Sequence, residues 1–172
     1  MTRHKFTSYL TKYYSKNRKF GLDIGCREKP YDDLYQCPYV GIDILDSLSY
    51  SSRVKPDFFS SGEFLPFKNE LFDFITCYSV IPYVKNVNRF FEEVYRVIKP
   101  SGIFVVIIMN LRGLELQPET NFINRFSTNE LEKKLKEHNF FSIKHKNIKT
   151  LLYSTYYDKR SVYGYAIVQS KK

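Results

Sequence analysis

Two acids stand where an open α/β sheet would bring them to one ligand. Gly21-Leu22-Asp23-Ile24-Gly25-Cys26 reads as a short buried strand that stops at a glycine turn. Tyr39 to Ile44 reads as a second strand, and Asp43 near its end follows Asp23 by 20 residues. Ligands in open α/β sheets bind outside the carboxyl ends of the strands, and an acid so spaced is placed to accept both hydroxyls of a ribose. A phosphate chain finds no such provision. Gly25 is followed by Cys26-Arg27-Glu28-Lys29-Pro30 and the next glycine is Gly41, so neither GxGxxG nor GxxxxGK[ST] is present. The pattern admits a ligand with a ribose and no phosphate chain. S-adenosylmethionine fits that description, and its sulfonium suits the acid-bearing strand end at Asp23.

Other chemistries have less to stand on. Cys26, Cys37 and Cys77 are odd in number and lack CxxC spacing, so neither a disulfide framework nor a structural zinc site is expected. His4, His138 and His145 form no HExxH frame, and no metal site is expected. No histidine is spaced to activate a cysteine, so the three thiols read as ordinary buried residues.

The elements that must carry Asp23 and Asp43 alternate as βα units, which predicts a mostly parallel sheet. A helix is expected over residues 6–17, where Phe6, Tyr9, Leu10, Tyr13 and Tyr14 recur at helical spacing. Strands are expected at Phe20–Ile24, Tyr39–Ile44, Val54–Phe59, Phe72–Tyr78 and Ile103–Met109. The last, an unbroken apolar run, suits burial on both faces. An amphipathic helix over Val87–Ile98 should be ended by Lys99-Pro100-Ser101-Gly102. Residues 111–126 read as irregular. Ser127-Thr128-Asn129-Glu130 reads as a helix start. Phe140–Tyr153 and Val162–Gln169 read as two antiparallel closing strands, joined by a turn at Asp158-Lys159-Arg160.

Four motifs in this order carry a family resemblance. They are Leu22-Asp23-Ile24-Gly25-Cys26; Gly41-Ile42-Asp43-Ile44; Leu65-Pro66-Phe67 followed by Leu71-Phe72-Asp73-Phe74-Ile75; and Arg96-Val97-Ile98-Lys99-Pro100-Ser101-Gly102. The chain resembles a class I S-adenosylmethionine-dependent methyltransferase of the methyltransferase type 11 kind, well over residues 19–110 and loosely elsewhere. The resemblance implies a single-domain α/β, Rossmann-like fold. Its seven-stranded sheet is mostly parallel with the last strand antiparallel, and helices cover both faces. It also implies cofactor contacts from Asp23, Gly25, Cys26, Arg27, Asp43, Ile44, Ser61, Gly62 and Cys77. Three positions depart from the family pattern. Arg27 stands at the usual second glycine, where its side chain narrows the site unless φ is negative; Ser61 stands where an acid is frequent; Pro82-Tyr83 replaces a frequent Glu-His pair. Tyr83, beyond the fourth strand, is the candidate to position a methyl acceptor. Because the stretch around it is not Asn-Pro-Pro-Tyr, methylation of an adenine or glutamine amino nitrogen is disfavoured.

Length and charge bound the remainder. At 172 residues with 43% hydrophobic content, the chain reads as one domain: 1–18 a helical lid, 19–110 the cofactor core, and 111–172 an acceptor-side segment with closing strands. No apolar run reaches the roughly 20 residues of a membrane span. The N-terminus shows no secretory signal, so a cytoplasmic location is expected. The net charge of +9 is uneven: residues 1–19 hold six Lys/Arg and no acid, and residues 128–172 hold ten against four acids. Basic ends with a mildly acidic middle fit an anionic acceptor as well as a lysine-rich solvated surface. A small-molecule, glycan or lipid-linked acceptor is the leading expectation. The alternatives are an RNA methyltransferase and an inactive methyltransferase-like partner subunit.

Overall fold

The structure is a computed structural model, and it describes residues 3–44, 55–109, 121–148 and 163–171. Helix α1 (Arg3–Ser15) precedes strand β1 (Gly21–Ile24). Strands β2 (Tyr39–Asp43), β3 (Phe58–Phe59) and β4 (Phe72–Tyr78) follow, then helix α2 (Val87–Val97) and strand β5 (Ile98–Met109). Helix α3 (Thr128–Glu137), strand β6 (Phe140–Ile148) and strand β7 (Tyr163–Ser170) complete the order. The seven strands form one sheet in the order β3-β2-β1-β4-β5-β7-β6. Strands β1 to β5 pair in parallel, and β7 runs antiparallel to both β5 and β6. The last strand in sequence is thus the reversed one, as expected.

Apolar residues on alternate positions of the strands divide the core into two layers. Leu22, Ile24, Ile75, Phe104 and Val106 face one layer with Phe90, Phe91 and Val94 of α2 and Leu131 and Leu135 of α3. Phe74, Val105, Ile107 and Ile167 face the other with Phe6 and Leu10 of α1. Helices therefore cover both faces. α3 begins with a reciprocal cap, the Ser127 hydroxyl accepting from Glu130 N–H while the Glu130 carboxylate accepts from Ser127 N–H.

A half-buried ion pair fixes the approach to β4. The Glu93 carboxylate of α2 accepts from Leu65 N–H at 2.8 Å and from Arg96 Nε at 2.7 Å. Arg96 also donates to the carbonyls of Leu65 and Phe67. The Arg96 hydrogen bond holds the Glu93 carboxyl below its ordinary range. The Leu65-Pro66-Phe67 and Arg96 motifs, 30 residues apart in sequence, are thereby one structural device.

Three boundaries differ from the sequence expectation. The Lys99–Gly102 turn is absorbed into β5. Phe72 pairs with Ile98 and Phe74 with Ile103, so the intervening residues bulge, with Ser101 in the left-handed region at φ 58°. β3 shrinks to two residues, and Val54 lies outside the described residues. α1 starts earlier than residue 6. The turn expected at Asp158–Arg160 also lies outside the described residues. Among the described residues no helix is long and apolar enough to cross a membrane.

Candidate functional site

The strand order reverses between β1 and β4: from β1 the chain builds outward through β2 and β3, then returns to build β4 and β5 on the other side. A crevice forms at the carboxyl ends of strands at such a point. Three chain segments meet there: the turn after β1, the end of β2 and the turn after β4.

Gly25 closes β1 with φ +78°, and a Cβ added to it would lie 2.1 Å from Val80 Cγ2. Only glycine tolerates both the left-handed backbone and the packed valine. The N–H groups of Gly25 and Cys26 both donate to Ile42 O, which folds the turn over β2. Arg27 then adopts φ +46° and Lys29 φ +51°. Arg27 has the backbone of the glycine it replaces, so the condition of negative φ is not met. Its side chain nevertheless leaves the crevice open, being two-thirds exposed and 3.9 Å from Glu28.

Asp43 organises this turn. It is 7% exposed. One carboxylate oxygen accepts from Arg27 N–H and the other from Ile44 N–H, both at 2.7 Å. A carboxylate has about four lone-pair sites, so about two remain for ligand hydroxyls. Asp57 reinforces the same corner, accepting from Gly41 N–H and pairing with Lys29 Nζ at 2.7 Å. Neither bond to Arg27 nor the Asp57 clamp is visible in the spacing of acids along the chain.

Asp23 lies inside β1, buried on the α1 side of the sheet. The Thr76 hydroxyl donates to it at 2.8 Å and in turn meets the Tyr35 hydroxyl. Burial pushes its carboxyl up to about 6, against the opposing effect of those hydroxyls. Around this group lie further hydroxyl contacts, Thr7 to Tyr31 and Thr11 to Tyr78, which seat α1 on the sheet.

Other expected site residues have different surroundings. The Cys26 thiol packs between β1 and β2, where a Cβ on Gly41 would meet it at 2.8 Å. Cys77 is fully buried in the core. Burial pushes both thiols far above their ordinary range, which disfavours the thiolate. Gly62 packs against Phe90 of α2, where a Cβ would lie 2.5 Å from the ring. Ile44 is half-exposed at the end of β2. The Ser61 hydroxyl accepts from Glu63 N–H and lies 3.3 Å from Glu63 Oε2. An acid therefore backs the serine from two residues away. Tyr83 sits in a 3-10 turn, Ile81–Tyr83, half-exposed, with its ring 5.4 Å from Phe122. The 121–124 segment docks on that turn: Ile123 and Asn124 N–H donate to Pro82 O, and the Asn124 side chain donates to Ile81 O and Val84 O.

One residue escaped the sequence analysis. Ser79 follows β4 with φ +64°, and its Oγ is buried with no hydrogen-bond partner. A buried orphan hydroxyl costs about 1–3 kcal/mol, and the backbone is one that L-residues avoid. Only the structure exposes it, because a serine in a turn is unremarkable in sequence.

These features fit S-adenosylmethionine. Asp43 has carboxylate capacity to spare beside a tight glycine turn, a buried carboxylate without a bonded cation sits in β1, and an unpaired hydroxyl closes the β4 side.

Comparison with known proteins agrees with this geometry. Residues 22–106 match the family model described as a methyltransferase domain. The chain is 34% identical over 104 residues to uncharacterised protein MJ1252 of Methanocaldococcus jannaschii, a match spanning 58% of this chain and 41% of that one. It is 27% identical over 146 residues to MJ1123 of the same organism, spanning 78% of this chain and 70% of that one. Among solved structures, a Thermotoga maritima S-adenosylmethionine-dependent methyltransferase, described as a possible histamine N-methyltransferase, superposes with TM-score 0.74 at 22% identity. That match covers 98% of this chain and 91% of that one. A methyltransferase-fold chain solved in complex with the Haloferax volcanii Trm112 activator gives TM-score 0.75 at 14% identity, covering 98% and 92%. With the motif order, the switch-point crevice and the reversed last strand, residues 22–106 match a methyltransferase domain, and the chain has the fold of the S-adenosylmethionine-dependent methyltransferases.

Proposed function

We propose that the protein transfers a methyl group from S-adenosylmethionine to a small-molecule or glycan-type acceptor. The observation that carries this reading is the Asp43 carboxylate, which ties the β1 turn to the end of β2 and keeps lone pairs for a ribose. The cofactor, when bound, supplies an electrophilic methyl group. Asp43, Ile44, Ser61 and Gly62 would line its nucleoside side, and Asp23, Gly25, Cys26, Arg27 and Cys77 its amino-acid side. Cys26 and Cys77 would contribute backbone only, since their thiols face the core. Transfer to a lone-pair acceptor is an in-line displacement that depends on positioning more than on an acid or base. Tyr83 and Phe122 form an aromatic wall beyond β4, suited to holding a small acceptor.

Calorimetry with S-adenosylhomocysteine tests the cofactor half. Saturable one-to-one binding is expected, and its absence at millimolar ligand would overturn the reading. Radiolabelled cofactor incubated with cell extract, then separated into small-molecule, glycolipid and RNA fractions, tests the acceptor half. Label is expected in the first two fractions; label confined to RNA would favour the RNA methyltransferase.

A further inference from the structure

The outer face of α1 has a pattern that cofactor binding does not use. Phe6, Leu10, Thr7, Thr11 and Ser15 turn inward and are buried. Lys5, Tyr9, Lys12, Tyr13 and Lys16 are exposed. At about 100° per residue, from 3.6 residues per turn, these five fall within an arc of roughly 100°. Lys16 continues the line in the turn that ends the helix. The stripe runs about 16 Å at 1.5 Å per residue. Bases alternate with rings along it, and the two rings stack with centroids 5.6 Å apart and planes 25° from parallel. Tyr9 is 55% exposed and Tyr13 59%. Residues 1–19 carry six Lys/Arg and no acid. Asp73 accepts from the backbone N–H groups of Lys19 and Phe20.

Flat, solvent-facing rings flanked by cations match one class of partner. Single strands of nucleic acid offer bases that stack on aromatic side chains and phosphates that pair with Lys, with little sequence preference. A membrane surface fits poorly, because the apolar side of α1 is committed to the core and the outer stripe carries no aliphatic residue. We propose that the Lys5–Lys16 face of α1 binds single-stranded RNA without reading its sequence. Thr11, on the inward side of α1, is bonded to Tyr78 at the end of β4 and seats the helix so that the stripe faces outward.

Fluorescence anisotropy with a labelled oligouridylate tests this. Each phosphate neutralised on a single strand contributes about −0.7 to the slope of log K against log salt. Lys12→Gln with Lys16→Gln should make the slope shallower by about 1.4. Tyr9→Ala with Tyr13→Ala should weaken binding roughly tenfold or more with the slope unchanged, since stacking carries no counterions. Tyr9→Phe with Tyr13→Phe should restore affinity, because stacking needs the ring and not the hydroxyl. All three doubles alter exposed positions and should keep the wild-type melting temperature. No binding to oligouridylate at low salt would overturn the proposal. So would equal affinity of wild type and the tyrosine-to-alanine double, which would reduce the face to a plain polycation. S-adenosylhomocysteine affinity, measured on the same variants, should not change, so failure here is separable from failure of the cofactor assignment.

Discussion

Replacing Asp43 by alanine removes two things that must be measured separately. The first is structural. Arg27 N–H and Ile44 N–H each lose a 2.7 Å bond to a carboxylate, and hydrogen bonds to charged groups contribute about 1.5–3 kcal/mol each. The Arg27 bond also holds a left-handed arginine in place, so Asp43→Ala is expected to lose about 2 kcal/mol of stability, discounted because water can reach these N–H groups once the carboxylate is gone. For a domain of this size a loss of about 2 kcal/mol lowers the melting temperature by roughly 4–8 °C. The second effect is on the ligand. Two ribose hydroxyls donating to a carboxylate are worth at least about 1.4 kcal/mol together, or tenfold in affinity. Asp43→Asn separates the two effects. Its amide oxygen can still accept from one N–H, while its NH₂ faces a donor where the second oxygen accepted. The asparagine variant should lie between wild type and alanine in melting temperature, yet bind S-adenosylhomocysteine about as weakly as alanine. Scanning calorimetry and titration calorimetry on the three proteins decide it. Equal S-adenosylhomocysteine affinity for wild type and Asp43→Ala would refute the ribose assignment, leaving Asp43 a purely structural brace.

Four further outcomes are expected. Asp23 has its pKa raised to about 6 from 3.8, so its contribution to stability is full below 3.8 and is lost as pH rises through 6. That loss is about 3 kcal/mol as an upper bound, and urea unfolding at several pH values should show Asp23→Asn flat across this window and more stable than wild type at pH 7. Gly25→Ala should destabilise by several kcal/mol or fail to fold, because its Cβ meets Val80 at 2.1 Å and its φ is positive; a normal melting temperature would contradict the packing. Arg27→Gly should leave S-adenosylhomocysteine affinity within a few-fold, since the arginine side chain points to solvent; a large gain would mark the natural protein as a hindered binder. Ser79→Ala should raise the melting temperature by removing an unpaired buried hydroxyl, and should weaken S-adenosylhomocysteine binding or slow methyl transfer if that hydroxyl meets a ligand; no change in either stability or function would show it paired in solution.

The elements were legible because each has a strong local cause. The Ile103–Met109 run, the apolar face of α2 and the Ser127–Glu130 cap all act within a few residues, and all stand where the sequence pattern puts them. The seven strands and the reversed last one were legible through the family motifs, but the strand order was not, because strand pairing is set by contacts far apart in the chain. β3 was overestimated because Phe58 and Phe59 look like strand interior but are half-exposed on the edge of the sheet. Asp23, Gly25 and Asp43 could be picked as candidates from type and spacing. The direction of a side chain could not. The Cys26 and Cys77 side chains are buried, and Arg27 has a left-handed backbone with its side chain outside.

Left-handed backbone gathers around the crevice in a way composition does not suggest. Gly25, Arg27, Lys29 and Ser79 all have positive φ, and three of them are not glycine. Such residues cost of order 1–3 kcal/mol each and persist only where surrounding contacts dictate them. Here the contacts can be named for two of the three. Asp43 holds the Arg27 N–H, and Asp57 holds the Lys29 ammonium. Ser79 is pinned on one side alone, by its N–H to Ile107 O, and its hydroxyl is left without a partner. The β1 side of the crevice is thus fully braced before any ligand arrives, whereas the β4 side keeps one strained, unpaired group. A ligand that hydrogen-bonds the Ser79 hydroxyl would offset the cost of leaving it unpaired.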